Sequence, residues 1–97
     1  MKDLGLSEEI LDKINADVRL ESQRQIEKWG EQDHISPEWM LILNEEVGEL
    51  NKAVLEDWFN FSGNRNMEEC YKEAIQVATL SIKIAVMFAS DIEGDGE

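Results

Sequence analysis

A chain of 97 residues with 42% apolar content has the length of a single small domain, too short to build a large core unaided. Its 22 acidic against 9 basic residues, a formal charge of −13, exclude direct grip on a nucleic-acid backbone, which needs clustered Lys and Arg. One cysteine, Cys70, excludes an internal disulfide and reads as a small core residue, and the opening MKDLGLSEEI lacks the apolar centre of a secretion signal, so the expected location is cytoplasmic.

The first predicted helix spans about 7–29. Ser7 is placed to cap it, Glu8 and Glu9 suit the positive end of the helix dipole, and Gly30 supplies a stop. Leu11, Ile14 and Val18 begin one face that continues as Ser22, Gln25 and Trp29. The change from apolar to polar along that face marks a wet cleft, with Gln25, Lys28 and Trp29 as candidate substrate contacts.

The polar link GEQDHI ends at SPE, a Ser cap followed by Pro at a first helical position, and the second helix is expected over about 37–58. Its core stripe is Trp39, Leu43, Val47, Leu50 and Val54. At 100° per residue Glu46 stands about 60° and Glu49 about 120° from that line, both bordering the core, while Glu45 points further toward solvent. Gly48 costs about 1 kcal/mol relative to Ala in a helix, which suggests a close helix approach or room for a ligand.

After the turn NFSGNRN, with Asn64 or Asn66 as cap, a third helix is expected over about 67–89, followed by an acidic flexible tail, 91–97. Residues 1–90 form the predicted domain. Val77, Leu80, Ile84 and Met87 make the stripe, and one turn back along it stands Glu73, flanked by Glu69 and Gln76, with Lys83 two turns on. Ile75, Ile82 and Val86 carry apolar character onto the opposite side, more than a three-helix monomer can cover, so a symmetric homodimer or homotetramer is expected to complete the bundle. The apolar run from Ala74 to Ala89 falls short of the ~20 residues of a spanning helix and is read as buried in protein, with no membrane partner.

An ionised carboxylate bordering a core needs a charged partner or a metal. If the second and third helices pack antiparallel, Glu46 and Glu49 face Glu73 and Gln76, a set of hard oxygen ligands suited to Mg²⁺, with Mn²⁺ as substitute. A divalent ion would also bridge so acidic a pocket to a phosphate ligand.

These residues resemble a known pattern. EEVGE at 45–49 and EAIQ at 73–76 resemble the E-E-x-x-E and E-x-x-D motifs of the MazG-like, all-α nucleoside triphosphate pyrophosphatases, and RQIEKWGEQDH at 24–34 looks like a segment of its short members. The resemblance implies an all-α fold of three antiparallel helices and Mg²⁺-dependent hydrolysis of a (d)NTP to a (d)NMP and pyrophosphate. It implies metal ligation by Glu46, Glu49, Glu73 and Gln76, with Glu45 and Glu46 catalytic; Lys83, by its place on the third helix, is a candidate either to grip a leaving phosphate or to snorkel from the core. Gln76 departs from the pattern's Asp and brings no charge, and Glu69 is the candidate to make up the loss. That departure motivates the alternative of a catalytically silent helical module that binds nucleotide, metal or a protein.

Overall fold

The computed structural model describes residues 7–31, 33–60, 63 and 65–95. It contains three helices, α1 (Glu8–Trp29), α2 (Ser36–Phe59) and α3 (Met67–Asp95), and no strand among the described residues, so the all-α expectation holds. The chain divides into two units, residues 1–32 and 33–97.

In the first unit Ser7 caps α1 as expected, its hydroxyl accepting from the Ile10 N–H at 3.4 Å, and Gly30 ends the helix at φ 76°. The Gly30 N–H donates to the Ile26 carbonyl at 2.7 Å. That backbone conformation is open to glycine and strained for other residues.

The second unit is an antiparallel hairpin of α2 and α3. The α2 start differs by one position from expectation. Ser36 is already helical, Ile35 is the N-cap, and the Glu38 carboxylate accepts from the Ile35 N–H at 3.1 Å. This is the acidic half of a capping box, without the hydroxyl half. His34, just before it, packs edge-on against the buried Trp39 ring with centroids 4.9 Å apart.

Trp39, Ala53, Ile75 and Leu80 form the buried apolar core, joined by Thr79, whose hydroxyl is satisfied by the Ile75 carbonyl at 2.7 Å. Ile75 was expected on the far side of α3. It is buried because the covered arc of this helix is broad enough to take in both Ile75 and Leu80. Gly48 has open space around its Cβ direction, so the close-approach expectation fails and an alanine would fit there.

Helix α3 runs on to Asp95, beyond the expected end near Ala89 and into the segment read as a tail, since no Pro or other stop precedes Gly94. Asn66 stands just before it, its carbonyl accepting from the Cys70 N–H at 3.3 Å, whereas Asn64 lies outside the described residues. Within α3 the stretch Met67–Gly94 is long and apolar enough by length and composition to cross a membrane, with a mean hydropathy of 1.5 in its most apolar window. The expectation that its apolar run is buried is not met within one chain: Ile82, Val86 and Phe88 are exposed.

Candidate functional site

The hairpin's polar seam is built by i, i+3 and i+4 spacing on two antiparallel helices. From α2 come Glu46, Glu49, Lys52 and Glu56, and from α3 come Glu69, Glu73 and Gln76. Glu49, Lys52, Ala53, Glu56, Glu69 and Glu73 line an open pocket of about 100 Å³. Ala53 forms its floor, a small side chain that leaves room between the longer acids.

Glu73 is the centre of this arrangement. Its side chain is buried on the core side of α3, at 9% exposure. Burial pushes its pKa above the ordinary value near 4.5, and a hydrogen bond with Glu69 and the nearby charges of Glu46 and Glu69 push the same way, with Lys72 opposing. A hydrogen bond between two carboxyl groups requires a proton on one of them.

One turn further on, the Gln76 amide lies between two carboxylates. Oriented to satisfy both, its nitrogen donates to Glu46 Oε2 at 2.9 Å and to Glu73 Oε2 at 2.8 Å. The predicted facing of Glu46 and Glu49 toward Glu73 and Gln76 is therefore how the helices pair. Among the described residues, however, no three Asp, Glu, His or Cys side chains stand at the mutual separations of a bound ion. A cation would have to draw the carboxylates inward.

The remaining candidates are placed as follows. Glu45 is exposed and outside the pocket lining. Lys83 is half-buried on α3, beyond Gln76 and also outside that lining. Gln25, Lys28 and Trp29 belong to the first unit. There Gln25 donates to Glu21 at 2.8 Å, and the Lys28 ammonium sits 4.7 Å from the exposed Trp29 ring, a cation–π contact.

Sequence reasoning missed Glu56 and an ion pair at the hairpin end. Asp57, buried on the last turn of α2, accepts from Arg65 Nε at 2.9 and 3.0 Å, from Arg65 Nη2 at 2.7 Å and from the Asn66 N–H at 2.6 Å. The Arg65 hydrogen bonds, then that of Asn66, hold its carboxyl below the usual range, against the opposing effect of burial. This clamp ties the end of α2 to the start of α3, next to Glu56 and one turn from Glu69, and so sets the mouth of the pocket.

Comparison with protein-family models, with curated proteins and with solved structures returns no match.

Proposed function

We propose that the chain is a Mg²⁺-dependent nucleoside triphosphate pyrophosphohydrolase, cleaving a (d)NTP to a (d)NMP and pyrophosphate. The observation that carries the reading is the convergence of Glu49, Glu56, Glu69 and Glu73 on one small pocket, with Glu46 bridged to Glu73 through Gln76. The donors are all hard oxygens, the chemistry that Mg²⁺ prefers, and the pKa of Glu73 is raised by burial and by the charges of Glu46 and Glu69, a repulsion that a cation would relieve. The residue set thus suits the ion.

In this reading Glu49 and Glu73 face the cation from opposite helices, and Glu69 and Glu56 add the charge that Gln76 lacks. Mg²⁺, when bound, offsets phosphate charge and eases deprotonation of a water. A carboxylate at the pocket rim, Glu49 or Glu56, accepts that water's proton. The family resemblance implied a catalytic role for Glu45, whose side chain is exposed and outside the lining. The chain carries a net charge of −13 and its acidic pocket repels a bare triphosphate, so the substrate is expected to enter as its metal complex.

The test is pyrophosphate release across a panel of (d)NTPs with Mg²⁺ or Mn²⁺. Turnover with at least one nucleotide, abolished by EDTA, is the expected result. No turnover with any of them at stoichiometric enzyme would favour the silent binding module, the reading supported by Gln76 in the place of an Asp.

The working form is a homodimer or a dimer of dimers, in which Ile82, Val86 and Phe88 of α3, exposed in the single chain, are covered. Sedimentation equilibrium should give a mass of two or four chains, and Val86→Glu should lower it. A monomer at tens of micromolar would rule this assembly out.

A further inference from the structure

We propose that Gln76 is a positioning residue and not a cation ligand: its amide nitrogen ties Glu46 of α2 to Glu73 of α3 and holds the two walls of the acidic seam in register. A glutamine side chain has two N–H donors on one nitrogen and a single carbonyl acceptor. In the amide orientation that satisfies both neighbours, both contacts are made by that nitrogen, at 2.9 Å to Glu46 Oε2 and 2.8 Å to Glu73 Oε2, each partner a carboxylate oxygen able to accept. Turning the amide over to offer its carbonyl to a cation would set that oxygen against the same two carboxylate oxygens, trading two charge-assisted hydrogen bonds for two repulsions.

The residue type decides the point as much as the geometry does. An Asp at this position would be one methylene shorter, would carry no donor when ionised and would add a further negative charge to a seam where Glu73 is already repelled by Glu46 and Glu69. Gln76 instead supplies a neutral two-armed donor on the helix turn after Glu73. The seam is thereby organised before any cation arrives, and Glu46 is committed to the bridge while Glu49, Glu56, Glu69 and Glu73 line the open pocket. As a group that orients others, Gln76 should cost about 10–100-fold in cation affinity when replaced by leucine, the range typical of residues that hold ligands in place. This assignment does not depend on a nucleotide being the substrate.

The decisive measurement is the side-chain amide pair of Gln76 in the ¹⁵N-labelled full chain, first in EDTA and then through a Mg²⁺ titration. Without metal, both amide protons should be displaced from free-glutamine positions and slow to exchange, and Glu46→Ala should return one of them toward the free position. Under saturating Mg²⁺ the displaced pair should persist. Free-like resonances in the wild type, resonances indifferent to both Glu46→Ala and Glu73→Ala, or collapse of the pair as Mg²⁺ saturates would each overturn the assignment. The wild-type arms need no variant to fold. A chain that shows the displaced pair but does not respond to Mg²⁺ at all would uphold the bridge while defeating the hydrolase reading, so the two failures are separable.

Discussion

Glu73→Gln is expected to abolish Mg²⁺-dependent pyrophosphate release, by about 100-fold or more, and at the same time to raise the metal-free Tm above neutral pH. The two effects have one cause. Glu73 is buried, it meets the charges of Glu46 and Glu69, and its pKa is raised first by burial and then by that company. A group whose folded-state pKa lies above its unfolded value binds its proton more tightly when folded. It therefore favours folding below about pH 4.5, the ordinary value, and that contribution is lost as pH rises through the folded value. Once pH exceeds that folded value the wild type carries the cost of an ionised Glu73 and the isosteric amide does not, with no cavity opened by the change. In EDTA the stability gap between variant and wild type should thus widen from pH 4 to pH 8. Mg²⁺ should narrow it at pH 8 by stabilising only the wild type, because an ion that binds only the folded state shifts its Tm upward. Loss of activity without a pH-dependent gain in stability would mean that Glu73 is not the strained centre of the site.

How far the site could be read in advance follows from which interactions are local. Helix positions are set by neighbours in sequence: Ser7 and Gly30 bound α1 as their chemistry requires, and Pro37 marks the start of α2 to within one residue. The convergence of Glu46, Glu73 and Gln76 was legible too, since helical spacing puts each acid at the border of an apolar stripe and the short connector forces the two helices antiparallel. Glu56 was not, because its place in the pocket depends on the hairpin's register, which no single helix encodes. Ile75 was misplaced for a related reason: a wheel drawn around one stripe underestimates the arc that a partner helix covers. A sequence signal for the clamp did exist. Asp57 stands in the last turn of α2, where the helix dipole disfavours an acid, and a buried acid at that end implies a cation held nearby. Arg65, just across the connector, is that cation.

Replacing Asp57 with alanine should lower the Tm at pH 7 by several degrees and weaken Mg²⁺ binding at a pocket that Asp57 does not line. The carboxylate closes the hairpin by accepting from both the Arg65 guanidinium and the Asn66 N–H, at the point where α2 ends and α3 begins. Removing it frees an N–H at the start of α3 and leaves Arg65, already half in solvent, to hydration. The pH dependence has the opposite sign to that of Glu73. Here the folded-state pKa is depressed, so the stabilisation is fully present above the ordinary value of 3.8 and is lost as pH falls through the lower folded value. Melting curves of wild type and Asp57→Ala should therefore lie far apart at pH 7 and approach one another in acid. An equal gap at both pH values would mean that the side chain acts by packing alone. Arg65→Ala should fall between the two, because the Asn66 N–H still holds the carboxylate but its pKa moves back toward the ordinary range. The loss of cation affinity follows from position: Glu56 adjoins Asp57 and Glu69 lies one turn beyond Asn66, so a loosened hairpin end lets these two acids drift apart and removes half of the pocket's negative charge from the place where an ion would need it.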